Sequence, residues 1–394
     1  MKSVAILGCG VVGGGVARLF LENAEPIARA VGEPVELKYV LERRDCSGEP
    51  WAGLVTEDFS RIESDPELSV VCECMGGVGA AYQFVRRSLL AGKSVVTSNK
   101  QLIAEHGLEL LELARSRDVF LLFEASVGGG IPLLRPLTDE LAANNIQEVF
   151  GIVNGTTNYI LTQMIEHGKG FDEALREAQD LGFAEADPSA DVDGVDAQRK
   201  LCILADLAFG SNVPPQTVPT EGITGVTAAD VRLAASLGCA VKLIAHALLL
   251  PDGRFTAFVA PRLVPQQMLL AHVSGVMNAV AVRGDAVGEC LFYGPGAGSL
   301  PTASAVVGDA VDALRRVGRK YIDWGPEQPE RFVHPDALPW RWYVRCRGAL
   351  ALPGAETVAA AEGETACLTA PMTRRELDAA LAGREALRCL RLLE

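Results

Sequence analysis

The ten residues Val4-Ala5-Ile6-Leu7-Gly8-Cys9-Gly10-Val11-Val12-Gly13 decide the fold of the first part of the chain. Four apolar residues predict a buried strand, and the GxGxxG spacing after it leads into apolar residues at helical intervals: Val12, Val16, Leu19 and Phe20. In this setting Gly8 permits a tight turn, Gly10 lets the backbone approach a pyrophosphate, and Gly13 lets the helix pack closely on the strand. The pattern predicts a dinucleotide site with the phosphates at the helix N-terminus; the alternative is a merely glycine-rich turn.

Strands and helices alternate over the next 110 or so residues. Helical stretches at 80–90 and 101–116 separate candidate strands, which are Val35–Leu41, Ser69–Cys74, Ser94–Thr97 and Val119–Glu124. This alternation predicts an α/β fold with a doubly wound parallel sheet of the Rossmann type. Ligands of such sheets bind beyond the carboxyl ends of the strands.

Polar residues follow two of these predicted strands. Glu42 and Arg43 come after the second strand, where an acid suits a free ribose 2′-hydroxyl and an arginine suits a 2′-phosphate, so NAD and NADP both stay open. Ser98 and Lys100 come after another strand. Lys100 either reaches the cofactor or the substrate, or it is a solvated residue at a helix start.

Composition excludes several classes of protein. The formal net charge of -14 argues against nucleic-acid binding, which favours a basic face. No apolar run approaches the roughly 20 residues of a membrane span, and the first residues lack the apolar region and cleavage site of a signal peptide. The ten cysteines show no CxxC or metal-ligand spacing, so we expect reduced thiols and a cytoplasmic protein.

A glycine-rich turn lies at residues 124–132, reading EASVGGGIP. Its consecutive glycines expose backbone carbonyls next to the carboxylate of Glu124, which we expect to be exposed as well. Carboxylate and carbonyl oxygens are the ligands that hard cations prefer, so the turn is either a cation site or a plain hinge. Further on, the turn Asn154-Gly155-Thr156-Thr157-Asn158 offers hydroxyl and N–H groups to a small polar substrate.

An acidic segment ends in a single lysine at residues 181–200, LGFAEADPSADVDGVDAQRK. Asp193 and Asp196 indicate a helix start, and Asp196 then shares a helix face with Lys200 four residues later. Burial lowers the pKa of a lysine and carboxylates raise it, so Lys200 is a candidate for proton transfer. The alternative is a solvated loop followed by a surface ion pair.

Six blocks together resemble the homoserine dehydrogenase family. They are VAILGCGVVGGGVARL from Val4, VVTSNKQLIAEHG from Val95, EASVGGGIPLLRPL from Glu124, GIVNGTTNYILTQM from Gly151, EAQDLGFAEADPSADVDGVDAQRKLCILADLAFG from Glu177 and FYGPGAGSLPTASAVVGDA from Phe292. The resemblance implies an NAD(P)-dependent oxidoreductase that interconverts L-homoserine and L-aspartate 4-semialdehyde, in threonine and methionine biosynthesis. It also implies a homodimer or homotetramer.

The resemblance further implies roles for individual residues. Lys200 matches the proton donor and acceptor. Matches to substrate-binding positions are Gly182, Glu185, Asp191, Asp196 and Lys100. Matches to cofactor-binding positions are Gly8, Gly10, Val11, Val12, Gly13, Ser98, Lys100, Glu185 and Gly298. A monovalent cation, usually sodium, matches Glu124 with the carbonyls of Val127, Gly129 and Ile131.

The expected organisation has three parts and a linker. A Rossmann domain over 1–125, completed by a helix at 301–320, precedes a substrate-binding, catalytic and dimerisation domain of α+β type over 126–300. A proline-rich linker over 324–340 leads to a small α+β tail over 341–394. The family resemblance suggests a ligand-sensing ACT module there, of βαββαβ order, but residues 349–363 look too short for its first helix and second strand. We therefore expect a reduced module through which L-threonine does not act.

One alternative of a different class stays open. The same fold could serve a catalytically silent protein that senses NAD(P) or acts as a scaffold. The presence of every residue that the chemistry requires favours the enzyme.

Overall fold

The computed structural model describes residues 1–315, 322, 324–348, 352, 354–359 and 363–394. From the N-terminus to residue 122 the elements are β1 Lys2–Leu7, α1 Val11–Glu22, α2 Ala24–Val31, β2 Val35–Leu41, β3 Val55–Thr56, α3 Phe59–Ser64, β4 Leu68–Glu73, α4 Gly79–Leu90, β5 Ser94–Thr97, α5 Lys100–Ser116 and β6 Leu121–Leu122. The middle of the chain forms β7 Ile146–Ile152, α6 Gly155–His167, α7 Phe171–Asp180, α8 Ser189–Val192, α9 Val195–Phe209, α10 Ala228–Ser236, β8 Cys239–Leu249, β9 Phe255–Pro265, β10 Met277–Gly284, β11 Gly288–Pro295 and α11 Ser299–Arg315. The tail contains β12 Trp342–Arg347, β13 Glu356–Ala359, β14 Glu364–Leu368, α12 Arg374–Ala380 and β15 Ala386–Leu392.

The chain divides into two compact units. Unit 1 comprises residues 1–143, 206–215 and 294–327, and unit 2 comprises residues 144–205, 216–293 and 328–394. None of the helices in the described ranges is long and apolar enough to cross a membrane.

Unit 1 is built on a six-stranded parallel sheet of order β3-β2-β1-β4-β5-β6. The order reverses between β1 and β4, which is where dinucleotides bind in sheets of this kind. The apolar side chains of β1 lie in a core that also contains Ala303, Val306 and Ala310 of α11. The prediction of a Rossmann-type doubly wound sheet is therefore confirmed.

Unit 2 is built on a nine-stranded sheet of order β11-β10-β7-β8-β9-β15-β12-β14-β13. The pairs β10–β7, β7–β8, β8–β9, β15–β12, β12–β14 and β14–β13 are antiparallel, and β15 runs parallel to β9. Phe150, Ile244 and Val264 belong to one core cluster of this unit together with Leu393, the residue after β15. The second part of the fold class, an α+β arrangement, is confirmed as well.

The tail holds one more strand than expected. The described residues between 341 and 394 form the order βββαβ, because Glu356–Ala359 pairs antiparallel with β14. Both expected flanking strands, the helix and the last strand are present. The segment at 349–363 was therefore long enough for the second strand, although part of it lies outside the described residues.

Local boundaries were mostly predicted well, with one clear exception. The strand expected over Val119–Glu124 pairs only at Leu121–Leu122. Glu124 does not continue the strand but begins a 3-10 turn, Glu124–Ser126. Its carboxylate accepts backbone N–H groups from residues 133–135, which holds the chain in this turn.

Candidate functional site

The glycine loop of unit 1 has the geometry of a phosphate-binding turn. Gly8 has a φ of 82°, and a Cβ there would lie 2.9 Å from Cα of Met75. A Cβ on Gly13 would lie 1.9 Å from the carbonyl oxygen of Gly8, so these two positions need glycine for the fold itself. A Cβ on Gly10 would have Nη2 of Arg44 as its nearest neighbouring atom, at 3.8 Å. The missing side chain at Gly10 therefore leaves room for a ligand at the N-terminus of α1.

A cavity of about 420 Å³ adjoins this loop. Its lining joins the ends of β1, β2 and β4 and includes Gly8, Gly10, Glu42, Arg43, Arg44 and Met75. Val11 is 74% exposed at the start of α1, next to the loop. The cavity has the size and position that the adenosine half of a dinucleotide requires.

Glu42 is already bound by the protein. Its Oε2 accepts the backbone N–H of Cys9 at 2.8 Å and the guanidinium of Arg44 at 2.8 Å, and its Oε1 accepts the N–H groups of Arg43 and Arg44. The Arg44 guanidinium lowers the pKa of Glu42 to about 2 despite partial burial. The carboxylate fixes the glycine loop to the end of β2, while the side chain of Arg44 stays 64% exposed beside the cavity.

Ser98 and Lys100 lie where β5 turns into α5. Asn99 caps the helix by accepting the N–H of Leu102 at 3.1 Å, and Lys100 is the first helical residue. The N–H of Ser98 donates to the carbonyl oxygen of Glu73, at the end of the neighbouring strand β4. Both predicted residues thus lie at the carboxyl edge of the parallel sheet.

Gly298 lies directly before the first residue of α11, in unit 1. It has a φ of 128° and accepts the N–H of Thr302 in the first turn of α11. The next residue, Ser299, donates its hydroxyl to the carbonyl oxygen of Val11 at 2.6 Å. Gly298 is therefore held close to the glycine loop within the same unit.

Glu124 is buried, with 7% of its surface exposed, so the expectation of an exposed carboxylate was wrong. Its Oε1 accepts the N–H groups of Leu133 at 2.5 Å and Leu134 at 2.9 Å, and its Oε2 accepts that of Arg135 at 2.7 Å. The side chain closes the glycine turn at 128–130 by holding the chain that follows it. Within the described ranges, no cluster of three or more His, Cys, Asp and Glu side chains is placed to hold a metal ion.

Lys200 of unit 2 lies in a buried polar cluster. Its ammonium donates to Asp196 Oδ2 at 2.7 Å and to the carbonyl oxygen of Val153 at 2.7 Å, and only 11% of the side chain is exposed. The side-chain amide of Asn154 donates to Asp191 at 2.7 Å and to Asp196 at 2.9 Å. Burial, and then the charge of Asp196, raise the pKa of Asp191.

Two of the five predicted substrate residues meet Lys200 in this cluster, two lie on the loop before α8, and Lys100 lies in unit 1. Asp191, Asp196 and Lys200 are joined through Asn154. Gly182 and Glu185 lie on the exposed loop before α8, where the carbonyl oxygen of Glu185 accepts a hydrogen bond from Gln179. Gly182 has a φ of 75°, which glycine adopts without strain. The surface ion-pair interpretation of Lys200 is wrong, since both partners are buried.

Asn154 lies in the turn that was predicted to hold a small polar substrate, but its bonds to the two aspartates were not foreseen, and the buried residues Glu73 and Lys242 were missed as candidates. Asn154, which joins the two aspartates, also caps α6 by accepting the N–H of Thr157. Glu73 and Lys242 are buried within strands β4 and β8. The signal available for the last two was a charged residue inside an apolar run, which is unusual enough to mark a specific role.

Comparison with known proteins gives one consistent result. Residues 132–311 match the profile described as homoserine dehydrogenase, and residues 8–124 match the homoserine dehydrogenase NAD-binding domain. The homoserine dehydrogenase of Pseudomonas aeruginosa is 45% identical over 338 residues, which are 85% of this chain and 76% of that protein. That of Bacillus subtilis is 42% identical over 352 residues, covering 87% and 80% of the two chains.

Solved structures agree with the sequence matches. The structure of a homoserine dehydrogenase from Thiobacillus denitrificans has a TM-score of 0.90 at 36% identity and covers 100% of this chain and 98% of its own. A hyperthermophilic archaeal homoserine dehydrogenase in complex with NADPH has a TM-score of 0.68 at 29% identity, covering 82% and 100%. With a nicotinamide-nucleotide domain in unit 1 and matches over most of its length, the chain belongs to the homoserine dehydrogenase family of NAD(P)-dependent oxidoreductases.

Proposed function

We propose that this chain oxidises L-homoserine to L-aspartate 4-semialdehyde reversibly, in threonine and methionine biosynthesis, with Lys200 as the proton donor and acceptor. The observation that carries the proposal is the buried Lys200 ammonium, held between Asp196 and the carbonyl oxygen of Val153 in a chain of this family. A bound nicotinamide supplies hydride exchange with the substrate carbon. The remaining requirement is a proton at the substrate oxygen, which Nζ of Lys200 is suited to give or take.

The acidic residues around Lys200 suit the other end of the substrate. Homoserine carries an α-ammonium group, and a partly buried carboxylate binds an ammonium more strongly than an exposed one does. Asp191 is the best placed of the acids, because its side chain is only partly buried and its Oδ1 is oriented by Asn154. Glu185 and Gly182 on the preceding loop, and Lys100 in unit 1, are proposed to contribute further contacts.

The glycine loop is proposed to bind the cofactor through Gly8, Gly10, Val11, Val12 and Gly13, with Ser98, Lys100, Glu185 and Gly298. The open space at Gly10 and the adjoining cavity support this assignment. We further propose a preference for NADP over NAD. The carboxylate of Glu42 is bound by three N–H groups and by the guanidinium of Arg44. The side chain of Arg44 is 64% exposed, so its remaining N–H groups can reach a 2′-phosphate.

A monovalent cation, with sodium the first choice, is proposed to bind at the glycine turn. The three N–H groups on Glu124 leave its carboxylate poorly suited as a ligand. The backbone oxygens of Glu124, Val127, Gly129 and Ile131 remain as neutral hard donors, a set that suits a monovalent ion.

The assembly and the compartment are proposals of the same kind. We propose a homodimer or homotetramer, and a cytoplasmic location that fits ten cysteines without a disulfide.

Steady-state assays with L-homoserine and each of NAD and NADP test the activity. We expect turnover with both and a higher kcat/KM with NADP. A folded protein that binds either dinucleotide but shows no turnover would support the silent sensor or scaffold instead.

A further inference from the structure

Glu73 is a buried carboxylate at the carboxyl end of β4. Its side chain has no exposed surface. Glu73 is the last residue of the apolar strand β4, with Cys72 before it and Cys74 after it. Both carboxylate oxygens are used, since Oε1 accepts the N–H of Met75 at 2.7 Å and Oε2 accepts the hydroxyl of Thr97 at 2.5 Å. Burying a carboxylate costs folding free energy unless the charge is paired or well hydrogen-bonded, so the presence of Glu73 at this position indicates a specific role.

The contacts of Glu73 continue into the turn after β5. The hydroxyl oxygen of Thr97 accepts the N–H of Asn99 at 2.9 Å. The side chain of Asn99 caps α5 and donates to the carbonyl oxygen of Gly77 at 2.6 Å, in the turn after β4. Ser98 adds a bond from its N–H to the carbonyl oxygen of Glu73. One carboxylate therefore connects the turns that follow β4 and β5.

These two turns differ in their relation to the cavity beside the glycine loop. The turn after β4 lines it through Met75, whose Cα also lies against Gly8, while no residue of the turn 97–100 is part of its lining. A dinucleotide extends along the carboxyl edge of such a sheet, so strands farther from β2 face its other half. The turn 97–100 is thus placed to serve the nicotinamide half.

We propose that Glu73 is a positioning residue that fixes the Thr97–Lys100 turn for the nicotinamide half of the cofactor. The inference rests on the proposed function, because it assigns a cofactor role to Ser98 and Lys100. Both oxygens of Glu73 accept hydrogen bonds, from the N–H of Met75 and from the hydroxyl of Thr97. Burial raises the pKa of Glu73, and the donated hydrogen bonds oppose that effect.

Glu73→Gln and Thr97→Val separate positioning from simple stability. The first variant replaces one acceptor oxygen by an amide donor, and the second removes the hydroxyl but keeps the shape of the side chain. A matched control is Ser88→Ala, which removes a buried hydrogen bond to the carbonyl oxygen of Phe84 elsewhere in unit 1. Thermal unfolding shows whether the three variants lose similar stability.

The decisive measurement is calorimetric binding of NADP, and of 2′,5′-ADP as the adenosine half, without homoserine. We expect Glu73→Gln and Thr97→Val to weaken NADP binding by about tenfold, the loss of one buried hydrogen bond, while 2′,5′-ADP binding changes by less than about threefold. Ser88→Ala should leave both affinities unchanged. Equal loss for both ligands, or no loss for either, would reduce Glu73 to a purely structural group. Because no turnover is measured, failure of the proposed enzyme activity would be recognised separately.

Discussion

Unit 2 contains two buried lysines whose surroundings differ in one respect. Lys200 donates to the carboxylate of Asp196, four residues earlier on the same helix. Lys242, in β8, is 1% exposed and donates to two neutral oxygens, Oδ1 of Asn158 at 3.2 Å and the carbonyl oxygen of Val273 at 2.6 Å. Burial lowers the pKa of Lys242 to about 8. A buried ammonium paired with a carboxylate can stay charged, whereas one held by neutral oxygens loses its proton more easily.

The difference also concerns function. Lys200 belongs to a cluster that contains two acids, Asp191 and Asp196, and the amide of Asn154 from the predicted substrate turn. Lys242 donates to Asn158 of α6 and to the carbonyl oxygen of Val273. Asn158 in turn donates to the carbonyl oxygens of Val273, Gly275 and Met277, so the two side chains together fasten the loop at 273–277 to α6. We propose that the first lysine serves the chemistry and the second the structure. Burial alone does not distinguish the two roles.

The largest expected effect is on turnover. Lys200→Ala should lower kcat by about 10² to 10⁴, the usual contribution of a positioned acid or base, and leave dinucleotide binding intact. The matched control is Lys242→Met, for which we expect kcat at neutral pH to stay within about threefold of wild type. Steady-state kinetics and calorimetric NADP binding on both variants decide the question. Unimpaired kcat in Lys200→Ala would move proton transfer to Lys100.

The next effect is on stability, and it belongs to Lys242. Its folded pKa of about 8 lies below the ordinary value of 10.5, so the unfolded chain binds more protons between these pH values. Stability should therefore rise with pH from about 8 to about 10.5, by about 3 kcal/mol in full. Below pH 8 both states are protonated and this contribution is constant.

Urea unfolding of wild type and Lys242→Met across this pH range isolates that contribution. The difference in unfolding free energy between the two proteins should change by about 3 kcal/mol between pH 7.5 and 10.5, with wild type gaining as pH rises. A constant difference would mean that Lys242 keeps its proton as firmly as an exposed lysine, and the contrast with Lys200 would disappear.

The sequence pattern pointed to Lys200 as a candidate functional residue but not to Lys242 as a buried one, and the reason is physical. The partner of Lys200 on its own helix is four residues away, a spacing that the helix period makes visible in the sequence. The partners of Lys242 are 84 and 31 residues away. Only the folded sheet brings them together, so no local pattern could name them. Glu73 escaped for the same reason, since Thr97 is 24 residues away.

The fold shows the same division between local and remote signals. The β1 strand, the glycine loop and α1 follow from ten consecutive residues, because sterics at Gly8 and Gly13 act within the loop itself. The way the tail pairs with the rest of unit 2 could not be predicted from the sequence in the same way. Its last strand, β15, runs parallel to β9 and is bound by the guanidinium of Arg262, which donates to the carbonyl oxygen of Leu392 at 2.5 Å. That contact spans 130 residues of sequence and gives no local sign of itself.

A third effect, on substrate affinity, tests whether the acids around Lys200 bind substrate. Asp191→Asn should raise the KM for homoserine by about tenfold to a hundredfold, since a charge-assisted hydrogen bond to the ammonium is lost. The kcat should change little, because the bonds from Lys200 to Asp196 and to the carbonyl oxygen of Val153 do not involve the Asp191 side chain. The control is Asp193→Asn in the same segment, whose side chain is exposed. Equal effects of the two substitutions would mean that the segment acts through net charge alone.

The smallest effect expected is a shift in how KM depends on pH. Burial, followed by the charge of Asp196, raises the pKa of Asp191 above its ordinary value of 3.8, so this carboxylate gains a proton earlier as the pH falls. The substrate ammonium stays charged throughout the acid range, and protonation of Asp191 removes its partner. We therefore expect the homoserine KM of wild type to rise by a few-fold on the acid side of neutrality, at a pH where an exposed aspartate would still be ionised. Asp191→Asn carries no titratable group at this position and should show a higher but flatter KM over the same range. Initial rates in overlapping buffers of constant ionic strength measure both profiles. If the KM of the two proteins depended on acid pH in the same way, the titration would belong to another group, and Asp191 would have no direct role in binding the ammonium.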